Sequence, residues 1–170
     1  MSELRIAGLA PESIVDGPGF RFTVFTQGCP HRCEGCHNPN THDFSGGEVV
    51  DTDTLWERIS KDILLSGVTF SGGEPFEQAG NLLDLARKIK GAGLELAAYS
   101  GYTFDELFAA GGDKLELLKL CDVLVDGRFV LSQRSLMLRF RGSKNQRLID
   151  VQRSLREGSV QEIHDGRWQD

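Results

Sequence analysis

No stretch of these 170 residues approaches the ~18 uninterrupted apolar side chains that a membrane-spanning helix needs, so no transmembrane segment is expected. The first residues also lack an apolar stretch of the kind that marks a secretory leader. Glu3 and Arg5 interrupt it, and Pro11 and Asp16 follow too soon. The compartment expected from this is the cytoplasm, and no membrane partner is foreseen. Basic charge is scarce as well: 19 Lys and Arg stand against 25 Asp and Glu, a net charge of −6. A phosphate-binding surface needs a concentrated basic patch, so direct nucleic-acid binding is disfavoured. The acidic balance reads as solubility. Internal repeats and low-complexity segments are missing. So is the length of a closed eight-fold barrel, which takes about 250 residues. Cysteine is sparse too, and in a reducing compartment four cysteines do not suggest a disulfide framework.

What is present is a globular composition, 39% hydrophobic and 26% charged, in a chain long enough to bury a single core. Short apolar runs alternate with helical periods. Residues 20–27, rich in Phe, Val and Thr, read as a strand after the turn Asp16-Gly17-Pro18-Gly19. A loop rich in Cys, Gly, Pro, His and Asn follows over 28–47. A helix fits 54–65, with Leu55, Ile59 and Ile63 at four-residue spacing and Thr54 and Glu57 as a capping box. Residues 68–71 form a second strand. The next helix, 77–90, has Ala79, Leu82, Leu83, Ala86 and Ile89 on one face and ends at Gly91 and Gly93. A third strand covers 94–99. Thr103 and Glu106 offer another capping box, opening a short helix toward Ala110. Residues 114–120 are helical, 123–125 a fourth strand, 147–149 a fifth, and 151–156 a further helix. The tail from Gly158 is polar and expected to be loose, with Trp168 exposed in it.

Strands alternating with helices over short links imply a mostly parallel sheet covered by helices. In such folds ligands sit at the carboxyl ends of the strands. The cysteine loop and the turns at Ser71, Ser100 and Asp126 would then share one sheet edge, which argues for one site.

Cys29, Cys33 and Cys36 stand at C-x3-C-x2-C spacing on a loop with Pro30 and Gly35. Three thiolates so close can wrap one compact centre, and thiolates favour zinc, copper(I) or iron–sulfur clusters. A structural zinc knuckle would recruit His37, His31 or Cys121 as a fourth ligand, although structural zinc usually takes a closed set of four. A four-iron cluster on three cysteines would keep one iron open for a substrate. Cys121 follows an apolar stretch and reads as a small core residue. His31, His42 and His164 read as solvated loop residues, and the phenylalanines as core.

With those residues in view, the cysteine motif resembles that of radical S-adenosylmethionine (SAM) enzymes. Thr69-Phe70-Ser71-Gly72-Gly73-Glu74-Pro75, directly after the second strand, resembles their Gly-Gly-Glu motif. Val15-Asp16-Gly17-Pro18-Gly19, Gly28-Cys29-Pro30 and Cys36-His37-Asn38-Pro39 are similar to the glycyl-radical-enzyme activases. Tyr99-Ser100-Gly101-Tyr102-Thr103, Val123-Leu124-Val125-Asp126-Gly127-Arg128-Phe129 and Arg141-Gly142-Ser143-Lys144-Asn145-Gln146-Arg147 resemble the branch that acts on anaerobic ribonucleoside-triphosphate reductase. The short chain agrees with that branch. The alternative branch acts on pyruvate formate-lyase or another glycyl radical enzyme.

The resemblance implies an open, partial (βα) barrel of the radical SAM type, α/β and single-domain. It would span residues 1–157, with 158–170 as a polar C-terminal tail. It also implies an oxidoreductase that cleaves SAM reductively at a 4Fe-4S cluster and uses the 5′-deoxyadenosyl radical to make a glycyl radical on its partner. A low-potential donor such as a flavodoxin or ferredoxin would supply the electron. By the same resemblance Cys29, Cys33 and Cys36 ligate the cluster. Gly72, Gly73 and Glu74 receive the methionine amino group. The backbone of Gly35 and His37 lines the adenine side, although Gly35 stands where many superfamily members carry an aromatic. Asp126 meets the ribose or the amino group, Arg128 suits the carboxylate, and Ser100 adds a hydrogen bond. For 141–147 the resemblance implies no mechanical role.

Overall fold

A computed structural model describes residues 2–36 and 38–169; His37 lies outside the described residues. Period-two alternation builds the sheet. In β2 (Arg21–Thr26), Phe22 and Val24 join the main core, while Arg21 and Thr23 point to the other face. β4 (Gly67–Gly72) does the same with Val68 and Phe70, β5 (Glu95–Tyr99) with Leu96 and Ala98, and β6 (Val123–Asp126) with Leu124. Ala97, Val123 and Val125 line a smaller cluster on the opposite face. These four strands run parallel, in the order β2-β4-β5-β6.

The helices cover the main face. α1 (Thr52–Lys61) buries Leu55 and Ile59, and α2 (Ala79–Gly91) buries Leu82, Leu85, Ala86 and Ile89. Leu85 sits at the buried centre of α2, and Leu83 flanks it. α3 (Phe104–Ala110) opens on the expected capping box, and α4 (Gly112–Leu120) contributes Leu117 and Leu118. α5 (Val151–Glu157) completes the layer with Val151.

The sheet is mixed rather than mostly parallel, and that corrects the expectation. β1 (Glu3–Ser13) pairs antiparallel with both β2 and β3 (Glu48–Asp51), and β7 (Arg147–Asp150) pairs antiparallel with β6. Among the described residues the order is β3-β1-β2-β4-β5-β6-β7, with β3 and β7 as open edges. The connections explain the direction. A parallel return needs a crossover of a dozen or more residues, usually helical. From β6 to β7 the chain makes only a 3-10 turn at Leu131–Gln133, stays at the same sheet edge and re-enters beside Asp126. β1 and β3 escaped the sequence reading. Register shifts between Ile6 and Gly8 and between Ala10 and Ser13 break the alternation of β1, and β3 has four residues with none buried.

The tail is not loose. Asp150 N–H donates to Gln161 O at 2.9 Å and Ile163 N–H to Leu148 O at 2.7 Å. Trp168, expected to be exposed, is 4% exposed. It packs edge-on against Phe140 and lies 5.3 Å from the Arg21 guanidinium. Arg21 is itself fully buried. Its Nε donates to Thr69 Oγ1 at 2.8 Å and its Nη1 to Glu95 Oε1 at 2.8 Å. Desolvation pushes the guanidinium pKa down, and the Glu95 carboxylate opposes that shift. No helix among the described residues is long and apolar enough to cross a membrane.

Candidate functional site

The carboxyl ends of β2, β4, β5 and β6 share one edge, and a cavity of about 720 Å³ opens there. That falls within the ~300–1,000 Å³ of small-ligand sites. Cys29, Cys33 and Cys36 line it together with Gly72, Gly73 and Ser100. Residues from three separated motifs therefore meet at one opening.

The cysteine loop is tied down at both ends. Gly28 N–H donates to Thr41 O at 2.7 Å and Cys29 N–H to His42 O at 3.2 Å, closing the loop's base. Between the first two cysteines, Arg32 adopts a left-handed φ of 51°, a conformation uncommon outside glycine. Cys36 N–H then donates to Cys33 O at 3.2 Å. The three thiols share the cavity, but no group of three or more His, Cys, Asp or Glu among the described residues is close enough to hold a metal ion. Their chemistry fits a thiophilic centre. Burial pushes the Cys29 thiol up to about 11, and the nearby Glu74 charge adds to the shift. Ligation requires the thiolate, which a cationic metal centre would stabilise. His42 also belongs to this wall rather than to solvent, and its Nε2 is buried with no hydrogen-bond partner. An orphaned polar atom beside a cavity suits a site built for a ligand.

Gly72 and Gly73 line the cavity, and their missing side chains also serve the protein itself. A Cβ on Gly72 would stand 2.5 Å from Thr26 N, and one on Gly73 would stand 2.5 Å from Gly28 O. Gly73 N–H donates to Thr26 O and Glu74 N–H to Gly28 O, each at 2.8 Å. The glycines thus let the base of the cysteine loop lie directly on the end of β4. Glu74 is fully buried behind them. Its Oε1 accepts from His31 Nε2 at 2.6 Å and Gly101 N–H at 2.7 Å; its Oε2 accepts from Ser100 Oγ at 2.9 Å and Phe76 N–H at 3.1 Å. His31, read as a solvated loop residue, has a side chain only 3% exposed.

The other expected contacts lie off the cavity wall. Asp126 is 1% exposed. Arg147 takes both its oxygens at 3.0 and 2.7 Å, and Phe104 N–H reaches Oδ2 at 2.8 Å. Arg128 is exposed and stands 3.9 Å from Glu106, and Gly35 faces Leu131 and Phe129. Neither Gly35, Asp126 nor Arg128 lines the cavity. Cys121 is fully buried in the helix-side core, as expected, and its thiol pKa is raised by that burial.

Segment 141–147 acquires a role. Gln146 Oε1 accepts from Gly142 N–H at 2.8 Å and Ser143 N–H at 3.1 Å, while Gln146 Nε2 donates to Gly127 O at 3.0 Å. Asn145 Nδ2 donates to Arg128 O at 2.8 Å, and Ser143 Oγ accepts from Val130 N–H at 3.1 Å. This clasp folds 127–146 back over the site, where Arg141, Gly142 and Gln146 reach the cavity. His31, Arg147 and Gln146 were missed as site residues because each is defined by a partner distant in sequence.

The 4Fe-4S single cluster domain family matches residues 15–149. The anaerobic ribonucleoside-triphosphate reductase-activating protein of Escherichia coli K12 is 36% identical over 145 residues, covering 80% of this chain and 92% of that protein. Its counterpart in enterobacteria phage T4 is 34% identical over 146 residues, covering 81% and 88%. The pyruvate formate-lyase-activating enzyme of Clostridium pasteurianum is 37% identical over 133 residues, but only 53% of that longer protein is covered. With the cysteine loop and Gly72-Gly73 at one strand-end cavity, this chain belongs to the 4Fe-4S single cluster domain family and to the family of the anaerobic ribonucleoside-triphosphate reductase-activating proteins.

Proposed function

We propose that this protein is the radical SAM activase of an anaerobic ribonucleoside-triphosphate reductase and installs a glycyl radical on it. The observation that carries this reading is the meeting of Cys29, Cys33 and Cys36 with Gly72, Gly73 and Ser100 around one cavity. Cys29, Cys33 and Cys36 would hold a 4Fe-4S cluster, leaving one iron open to SAM. When bound, the cluster and SAM would supply one-electron reductive chemistry for making the glycyl radical, with a flavodoxin or ferredoxin as the electron source.

The chain's own residues bind, orient and exclude. The backbone edge at Gly72 and Gly73 receives the methionine end. Ser100 stands beside it, and His42 offers its unpartnered Nε2. Asp126 acts by orienting Arg147 and the start of α3, and Arg128 is exposed, 3.9 Å from Glu106.

The rim also suits a macromolecular partner. Val15 and Leu136 line the cavity yet are 73% and 84% exposed, and Met137 beside them is 93% exposed. Residues 127–147 carry five arginines, one lysine and no acid, in a chain of net charge −6. We read this as the face that meets the reductase.

The deciding test is anaerobic electron paramagnetic resonance of the reconstituted protein with SAM, reductant and the reductase. A glycyl-radical doublet on the reductase is expected. SAM cleavage without the doublet would move the partner to pyruvate formate-lyase or another glycyl radical enzyme, the reading favoured by the Clostridium relative. Neither signal, in protein that holds its cluster, would overturn the activase reading.

A further inference from the structure

We infer that His31 is a positioning residue that latches the middle of the cysteine loop to the strand ends by donating from Nε2 to Glu74. This rests on the proposed function above, since it concerns how the three thiols are held. His31 occupies the centre of the three-residue spacer between Cys29 and Cys33, and its neighbours Pro30 and Arg32 are exposed. Its own ring is inserted in a slot made by the ends of two strands. Glu74 Oε1 accepts at 2.6 Å, and the Tyr102 ring meets it edge-on at 4.6 Å. The floor of the slot is Gly101, where a Cβ would stand 2.4 Å from the imidazole. The left-handed turn at Arg32 then redirects the chain toward Cys33.

One carboxylate therefore joins three segments. Ser100 Oγ and Gly101 N–H bring the end of β5 to Glu74, Phe76 N–H brings the turn after β4, and His31 brings the cysteine loop. Pinning the middle of a short spacer restricts the backbone on both sides of it, where Cys29 and Cys33 stand on the cavity wall. The ordering is done by the protein before any ligand arrives, which lowers the entropy that ligation must overcome. The arrangement also changes the expected use of Glu74. Both of its oxygens already accept from the protein, so it acts on the loop that carries the ligands. The imidazole does this through a second partner, as supporting residues of metal sites generally do.

The test compares wild type with His31→Ala and His31→Gln, because the glutamine amide keeps an N–H at about the reach of Nε2. Two measurements are made: amide hydrogen exchange over residues 29–36 in the cluster-free protein, and the rate of iron loss to a chelator after anaerobic reconstitution. The alanine variant should exchange about tenfold faster over that segment, with protection across α2 retained. It should lose iron roughly ten- to a hundredfold faster. Glutamine should restore both. Alanine behaving as wild type in both measurements would overturn the latch, and so would glutamine failing as badly as alanine. If alanine also loses protection across α2, the glutamine variant decides alone: protected, it supports the latch, and unprotected, it overturns it. A wild type that takes up no cluster would defeat the proposed function, while the exchange data would still decide the latch.

Discussion

Glu74 accepts one backbone N–H on each oxygen, from Gly101 on Oε1 and from Phe76 on Oε2. Backbone donors cannot turn away, so the amide of Glu74→Gln would face one of them whichever way it flips. Leaving a buried donor unpaired costs about 1–3 kcal/mol. Urea unfolding of Glu74→Gln should show a loss of that size, and an unchanged midpoint would contradict the hub. The cysteines divide at the same scale. Cys33 shares the cavity, and Cys121 sits in the core with its Sγ 3.4 Å from Leu117 O. Cys33→Ala should abolish 5′-deoxyadenosine formation in an anaerobic assay. Cys121→Ala should keep its iron and lose only about 1 kcal/mol of stability. Iron analysis and a denaturation curve check both.

Helix ends show where local sequence misleads. The pair Thr54 and Glu57 suggested a cap at Thr54, but α1 begins at Thr52. Asp51 is its N-cap, accepting from Asp53 N–H at 3.3 Å. Pairing of β3 with β1 decides this, because it carries Asp51 to the sheet edge in extended conformation. Asp51→Ala should therefore cost about 1 kcal/mol, with Thr54→Ala costing less, as read by urea denaturation. The helix also stops at Lys61, earlier than apolar spacing suggested, and leaves Ile63 93% exposed. At α3 local and tertiary signals agree: Thr103 and Glu106 form the expected box, and Asp126 receives the next N–H. Segment 127–146 depends on its clasp. Gln146→Ala should speed tryptic cleavage at Arg134 and Arg139 with little change in global stability, and unchanged cleavage would refute the clasp.

Across the whole molecule, the C-terminal residues close the second face of the sheet. Trp168 covers Arg21, a fully buried cation whose partners come from separate elements: Thr69 from β4, Glu95 from β5 and the Pro18 carbonyl from the turn before β2. Removing the indole would uncover that network and leave a cavity. Trp168→Ala should lose about 3 kcal/mol, in the range of buried tryptophan truncations. A midpoint unmoved in urea would show that the tail does not matter to the fold. The same network lies under the site, since Thr69 Oγ1 donates to Asp16 O at 2.9 Å and Asp16 lines the cavity.

Sequence alone determined the cysteine loop, the four central strands and the strand-end location of the candidate site. Three thiols at short spacing are recognisable without any fold, and strands buried on both faces read as nearly continuous apolar runs. It also carried the family, because the C-x3-C-x2-C and Gly-Gly-Glu segments are contiguous. The tertiary structure decided what depends on distant partners. His31 meets Glu74 across 43 residues of chain, and Arg147 meets Asp126 across 21. A histidine in a polar loop has no local signal that separates a solvated ring from a latch. Bulged β1, four-residue β3 and the docked Trp168 likewise take their places only when the sheet provides an edge or a face to receive them. Pairing energy and burial, which are non-local, made those choices.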